Sequence, residues 1–294
     1  MRSMAVTGAG GIRLAVREAG RRGALPAVLL HGWAQSSAVW SGLLDTPAMT
    51  DGFRLVAADL RGHGDSDAPD GPSAASAGES ASAGGYADPD AWAGDVAALL
   101  AHAGPGAVLL GWSYGGLVVT DYLRRHGTAG LAGIVLVGAI TEIGRDHPGG
   151  RIGPVMRAAL PAALDEDPAV AVPALLEFTA GLGAGRLPGE LVQRLLGAAL
   201  RVPPRVRAAL FRRDVASADV LAAVDVPTLV MHGRRDAVVD PAAGEYAAAT
   251  IPGATLRWFD DAGHAPFLER PEEFTAELAA FLEKCRAETR EVVR

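Results

Sequence analysis

Short aliphatic runs alternate with stretches of helical periodicity along most of the chain. The strand candidates cover residues 27–30, 54–59, 107–111, 133–137, 227–232 and 254–259. Most of these runs are continuous in apolar residues, which is typical of a mainly parallel sheet that helices cover on both faces. Residues 12–17 are expected to add an antiparallel strand at one edge of that sheet.

Two apolar stripes at helical spacing predict helices that pack on the sheet. The first stripe consists of Trp92, Val96, Leu99 and Leu100, and the second of Phe274, Leu278, Phe281 and Leu282. Helix starts are marked by prolines suited to the first helical position, namely Pro89, Pro241 and Pro271.

Two segments interrupt the alternation. Residues 141–224 contain helical stripes but no strand pattern, and we expect prolines to break the helices there: Pro161, Pro168, Pro173, Pro188, Pro203 and Pro204. We interpret 141–224 as a helical cap inserted into a core domain formed by 1–140 and 225–294. The second segment, 72–85, is rich in Ala, Ser and Gly, and this composition predicts a mobile loop.

Length and charge narrow the possible functions. A chain of 294 residues suits one large domain, or a core that carries a smaller insertion. The net charge of −7, without a basic stripe, argues against nucleic acid as a partner. The absence of a long apolar run argues against a membrane span or a signal peptide, so we expect a cytoplasmic protein. A single cysteine, Cys285, rules out an internal disulfide and a thiolate metal cluster.

Ser113 is the candidate nucleophile. It lies between Gly111 and Gly115, follows the apolar strand 107–111, and precedes a helix predicted over 117–125. This strand, sharp turn and helix are the context in which an exposed serine nucleophile is held. Glycine is required two residues away on either side, because side chains there would collide with the backbone of the turn.

A serine hydroxyl needs a base within hydrogen-bonding reach, and histidine is the usual one. The candidates are His31, His63, His102, His126, His147, His232 and His264. His264 lies in a loop after the last predicted strand, so it is expected at the same sheet edge as Ser113. His31 and His232 close strands just before glycines, where a role in the turn suffices.

The histidine needs a carboxylate to fix its tautomer. Asp236 follows the penultimate strand and can reach the same edge, whereas Asp240 precedes Pro241 and is explained by helix capping. Glu142 is a more distant alternative. The chain order serine, aspartate, histidine is one of the known orders of such triads.

An oxyanion hole would complete the site. Its first donor is the backbone N–H of Tyr114, the residue after the nucleophile, and its second is expected from the loop 31–35, where we select Trp33.

These motifs together resemble the α/β-hydrolase superfamily, and within it the branch of cofactor-free haloperoxidases, esterases and lactonases. The resemblance is carried by residues 31–33, 59–67, 111–116, 233–236 and 263–264. It implies the α/β-hydrolase fold and scaffold roles for Asp59 and Arg61. Relatives of this kind often have proline where this chain has Ala34, which argues against peracid formation. Serine rather than aspartate at 113 argues against carbon–halogen and epoxide cleavage.

The expected function is hydrolysis of an ester, lactone or related acyl substrate, without metal or cofactor. Trp33, Trp112 and Tyr114 would give the pocket an apolar lining, with Trp112 in contact with a small or medium-sized substrate. Carbon–carbon bond cleavage, a lyase or cyclisation reaction, and a ligand receptor without turnover stay open as alternatives. The sequence does not determine the oligomeric state, and a homo-oligomer is one of the open alternatives.

Overall fold

An eight-stranded sheet forms the centre of the molecule. We describe it from a computed structural model, in which residues 1–69 and 85–292 are described. Strands β1 to β8 are Arg2–Thr7, Arg13–Gly20, Leu25–Leu30, Phe53–Ala58, Ala107–Trp112, Leu131–Val137, Thr228–Gly233 and Thr255–Phe259. Their order in the sheet is β1-β2-β4-β3-β5-β6-β7-β8. The six strands β4-β3-β5-β6-β7-β8 are parallel to one another, while β1–β2 and β2–β4 are antiparallel pairs. The prediction of a mainly parallel sheet with an antiparallel edge is therefore confirmed.

Helices flank this sheet. Helices α1 to α12 are Ser41–Asp45, Pro47–Thr50, Pro89–Ala103, Tyr114–His126, Pro154–Ala163, Pro168–Ala180, Gly189–Arg201, Pro204–Ala209, Ala218–Ala222, Pro241–Thr250, Pro266–Glu269 and Pro271–Val292. The starts predicted at Pro89, Pro241 and Pro271 are confirmed. Asp88 caps α3 by accepting from the N–H of Asp90, which shows why that helix begins where it does. Over the described ranges, no helix combines the length and apolar character needed to cross a membrane.

The predicted strands agree with the observed ones to within three residues at each end, but β1 was missed. Its residues mix polar and small apolar types, and they are exposed or half-buried because β1 lies at the edge of the sheet. In contrast, every residue of β5, β6 and β7 is buried. These strands are therefore almost continuously apolar, and the sequence predicts them directly.

The segment between β6 and β7 contains α5 to α9 and no strand of the main sheet. Two of the prolines expected to break helices there do not: Pro161 lies inside α5 and Pro173 inside α6. Both prolines are exposed, as are Arg157 and Ala169, four residues earlier. Water can therefore satisfy the two carbonyl groups that lose an N–H partner. The predicted loop 72–85 lies outside the described residues, apart from Gly85.

The turn after β4 has the scaffold role that the resemblance implied. Asp59 accepts from the backbone N–H groups of Ser37 and Asp65, at 2.6 and 2.8 Å. Arg61 forms a buried ion pair with Asp95 of α3, with Nε and Oδ2 2.7 Å apart. The turn after β4 is thereby bonded to the loop after β3 through Asp59 and to helix α3 through Arg61.

Two glycines give a matched test of how closely α4 approaches the sheet. A Cβ on Gly115 would lie 2.7 Å from the carbonyl oxygen of Leu30, whereas one on the exposed Gly197 of α7 would meet no atom within 4 Å. We expect Gly115→Ala to lower the free energy of unfolding by about 2 kcal/mol. We expect Gly197→Ala to raise it by about 1 kcal/mol, because alanine favours the helix. Urea denaturation of both variants checks these values, and equal effects would contradict the close approach.

Candidate active site

Ser113 lies in the sharp turn between β5 and α4. Its φ and ψ of 55° and −122° are in a region that residues other than glycine rarely adopt. The turn closes because Gly111 and Gly115 lack side chains; a Cβ on Gly111 would lie 2.5 Å from the carbonyl oxygen of Gly115. The N–H of Ser113 donates to the carbonyl of Val137 at the end of β6, at 3.0 Å. The hydroxyl is thus held at the carboxyl ends of the central strands.

His264 and Asp236 form a buried pair at the same edge. Nδ1 of His264 lies 2.8 Å from Oδ2 of Asp236, and both side chains are almost completely buried. Oδ1 of Asp236 accepts from the backbone N–H groups of Val238 and Val239, at 2.8 and 2.9 Å. Burial opposes ionisation of this carboxyl group. The charge of His264 and imidazole hydrogen bonds outweigh burial, and they hold the pKa of Asp236 far below its usual range.

Two contacts bring this pair next to the serine turn. The indole Nε1 of Trp112 donates to the carbonyl of His264 at 2.8 Å, and Trp112 directly precedes Ser113. Gly138 follows the strand end to which Ser113 is bonded, and a Cβ on it would lie 3.3 Å from both Oδ2 of Asp236 and Nδ1 of His264. Within the described residues, neither Oγ of Ser113 nor Nε2 of His264 has a hydrogen-bond partner, so the two atoms are not bonded to each other either. Such bonds often tighten only when substrate is bound.

Neither alternative carboxylate contacts His264. Asp240 caps α10, where it accepts from the N–H of Ala242 at 3.0 Å. Glu142 accepts from the N–H groups of Ser217 and Gly149 and lies 3.2 Å from the hydroxyl of Tyr246. The geometry therefore favours Asp236 as the partner of the histidine.

The two expected oxyanion donors lie on different elements, Trp33 in the loop after β3 and Tyr114 at the first residue of α4. A Cβ on Gly32 would lie 2.8 Å from Cβ of Ser113, so the loop after β3 runs beside the serine. In the part of the chain that the structure describes, the backbone N–H groups of Trp33 and Tyr114 have no hydrogen-bond partner. Both N–H groups are therefore available to bind an acceptor from outside the protein.

The model of the α/β-hydrolase fold family matches residues 26–271, which include all of these groups. The chain belongs to the α/β-hydrolase fold family. This finding confirms the fold that the motifs implied.

Relatives of this α/β hydrolase are esterases and haloperoxidases. It is 35% identical over 258 residues to a pimeloyl-[acyl-carrier protein] methyl ester esterase of Aromatoleum aromaticum, covering 84% of this chain and 93% of that protein. It is 32% identical over 290 residues to a non-heme chloroperoxidase of Streptomyces lividans, covering 94% and 98%. The crystal structure of an esterase from Rhodococcus sp. ECU1013 matches with a TM-score of 0.86 and 45% identity, over 96% of this chain and 99% of that one. The protein is an esterase-type α/β hydrolase.

His31 does more in this α/β hydrolase than close a turn. Its Nε2 accepts from the N–H of Leu60 at 3.0 Å, so its Nδ1 carries the proton and donates to the carbonyl of Gly32 at 2.8 Å. In a trans peptide, the carbonyl of Gly32 and the N–H of Trp33 point in opposite directions. His31 therefore fixes the direction of that N–H. The sequence signal was the histidine directly before the glycine of the loop.

Trp112 does not have the environment expected of a substrate contact. Its side chain is 1% exposed, donates to His264, and packs edge-on against Trp40 and Phe267. The indole thus supports the histidine loop from inside the fold. The substrate contact expected of Trp112 has no support in this geometry, because an amphipathic ring with its N–H already bonded is completely enclosed.

Residues of the segment between β6 and β7 contact the loop after β3, which contains Trp33, and the loop after β8, which contains His264. Phe178 and Phe211 pack edge-on against Trp33, with ring centroids 5.1 and 5.5 Å apart. The carbonyl of Leu182 accepts from the N–H of His264 at 2.8 Å. Glu269 of α11 accepts from the N–H groups of Gly263 and Ala184, at 2.8 and 2.7 Å, and burial raises the pKa of Glu269. The helical segment is therefore joined to the loop that carries the histidine.

Proposed function

We propose that this α/β hydrolase cleaves carboxylic esters through an acyl-enzyme on Ser113, with His264 as general base and Asp236 as its orienting acid. The observation that carries the proposal is the 2.8 Å contact between His264 and Asp236, beside a serine held at positive φ. The printed names of the relatives, which include esterases, support the same reaction class.

Acylation follows from the positions of three groups. Nε2 of His264, which has no partner across the described residues, takes the proton of Ser113 as Oγ attacks the carbonyl carbon. The positive charge that forms on the imidazole lies next to the anionic Asp236. The N–H groups of Trp33 and Tyr114 receive the negative oxygen of the tetrahedral intermediate.

Collapse of that intermediate returns the proton to the leaving alcohol and leaves the acyl group on Ser113. A water molecule then gives a proton to His264 as it attacks the acyl carbonyl. His264 returns that proton to Oγ of Ser113 when the acyl–oxygen bond breaks, which releases the acid and restores the serine. The imidazole acts alternately as base and acid, and both tetrahedral intermediates form at the same carbonyl carbon, so the two halves of the reaction share one oxyanion site. Neither half needs a group beyond the side chains and N–H groups named above.

We further propose that residues 141–224 form a cap over a core made of 1–140 and 225–294. Phe178 and Phe211 present apolar rings to Trp33, beside the proposed oxyanion donor. An apolar enclosure of this kind favours a small or medium-sized hydrophobic acyl group.

Partitioning of the acyl group tests this function. Phenyl butyrate and p-nitrophenyl butyrate would be hydrolysed in the presence of methanol, and the ratio of methyl butyrate to butyrate measured. An acyl-enzyme gives one ratio for both esters, because the same intermediate meets water and methanol. Ratios that depend on the leaving group contradict an acyl-enzyme. Tight binding of butyrate esters without any turnover contradicts the hydrolase and supports a receptor.

A further inference from the structure

A second histidine contacts the carboxylate that holds His264. His232 lies in β7, four residues before Asp236, and its side chain is completely buried. Its Nε2 lies 3.1 Å from Oδ2 of Asp236 and 3.4 Å from the carbonyl oxygen of Val239. Since both neighbours are acceptors, the ring carries its proton on Nε2 and shares it between them.

The other ring nitrogen of His232 is enclosed. Nδ1 is buried and, within the described ranges, has no hydrogen-bond partner. It faces α10 at Gly244, where an added Cβ would lie 2.5 Å from Nδ1. A proton on Nδ1 would therefore point at the helix with no acceptor to receive it. The ring can donate through Nε2 alone.

We propose that His232 is a positioning residue, which fixes Oδ2 of Asp236 and limits how strongly this carboxylate stabilises protonated His264. The proposal rests on the proposed function, since it concerns the base of the same reaction. Oδ1 of Asp236 accepts from two backbone N–H groups, and Oδ2 has Nδ1 of His264 at 2.8 Å and Nε2 of His232 at 3.1 Å. Each donor disperses the negative charge, so the N–H of His232 weakens the hold of Asp236 on the proton of His264.

Other charged groups near His232 are engaged elsewhere or exposed. On the neighbouring strand and loop, Arg234 pairs with Asp260 and Arg257 with Glu277. On α10, Tyr246 contacts Glu142, and Asp240 caps the helix. Arg235 and Glu245 are exposed. Replacing His232 should therefore change the pH dependence of the reaction only through its contact with Asp236, which in turn holds His264.

Three variants separate the donor from the bulk of the ring. His232→Met removes the N–H and fills a similar volume with an adaptable side chain. His232→Asn removes it with a shorter polar side chain, should the methionine variant fail to fold. His232→Gln places an amide N–H near the position of Nε2. His63→Met is the matched control, because His63 is also buried, with an unpartnered Nε2 among the described residues.

The readouts are the pH profile of kcat/KM for p-nitrophenyl butyrate and the ring-¹⁵N NMR titration of His264 in protein without substrate. In His232→Met or His232→Asn, we expect the acid limb and the His264 midpoint to move up by about 0.5 to 1 pH unit. The direction follows because a carboxylate that loses a donor stabilises the imidazolium more. We expect His232→Gln to restore both midpoints and His63→Met to leave them unchanged. We also expect His232 itself to show the Nε2–H tautomer in the wild type.

The outcomes are separable. Unchanged His264 midpoints in the variants that lack the donor, or a wild-type His232 protonated on Nδ1, would overturn the role of His232. A shift that His63→Met reproduces would also overturn it, because the loss of any buried histidine would then suffice. A wild-type protein that turns over no ester overturns the proposed function instead, while the NMR titration still reports on His232.

Discussion

Ser113→Ala is expected to lower kcat for ester hydrolysis by about 10⁶, because no other group can form the acyl-enzyme. The fold should be unaffected. Ser113 Oγ makes no hydrogen bond across the described residues, and alanine meets the same backbone strain at φ 55° as serine. Steady-state kinetics with p-nitrophenyl butyrate and a thermal melt measure the two effects. We expect the melting temperature to be that of the wild type.

Ser37→Ala is the matched control for this variant. Ser37 is buried, and its hydroxyl is also unpartnered among the residues that the structure describes. We therefore expect wild-type turnover from it. Substantial ester turnover by Ser113→Ala, or an equal loss in both variants, would show that the nucleophile has been assigned wrongly.

Asp236→Asn is expected to lower kcat by about 10⁴. The asparagine side chain can present an N–H where Oδ2 now accepts from Nδ1 of His264, which favours the tautomer with the proton on Nε2. That tautomer cannot take the proton of Ser113. Kinetics at several pH values check this, because the loss should persist on the alkaline plateau, where the base is already neutral.

Two further variants control for the choice of acid. Asp240→Asn should leave turnover unchanged, since asparagine caps a helix as well as aspartate does. Glu142→Gln should lower the free energy of unfolding rather than kcat. The reason is that Glu142 accepts from the backbone N–H groups of Gly149 and Ser217, which are distant from each other in the sequence. If Asp236→Asn hardly changed kcat while either control variant lowered it strongly, the residue replaced in that control, and not Asp236, would be the acid of the triad.

Much of the candidate site could be predicted because parallel strands deliver their last residues to one edge of the sheet. Ser113, Asp236 and His264 each follow a predicted strand, so their chain positions alone indicated a common location. Choosing Asp236 over Asp240 was also possible, since a proline directly after Asp240 explains that residue as a cap. His264 and Asp236 lie in contact at that edge, while their roles in turnover, like that of Ser113, stay predictions.

Features that depend on the folded surroundings were not predictable. His232 resembles any buried strand residue, and its contact with Asp236 arises only because the turn at 233–236 brings the carboxylate back over the strand end. The spacing of four residues between them was the only signal. Trp112 was expected to line the pocket, yet its indole is enclosed by Trp40 and Phe267 and donates to the carbonyl of His264. Its indole accordingly supports the histidine loop.

A crystal structure of the enzyme after reaction with a p-nitrophenyl alkylphosphonate tests the central claim most directly. We predict a covalent bond between phosphorus and Oγ of Ser113. We also expect the phosphonyl oxygen to lie about 2.7–3.1 Å from the backbone nitrogens of Trp33 and Tyr114. Phosphorus bonded to another residue, or an adduct whose oxygen points away from both nitrogens, would contradict the account.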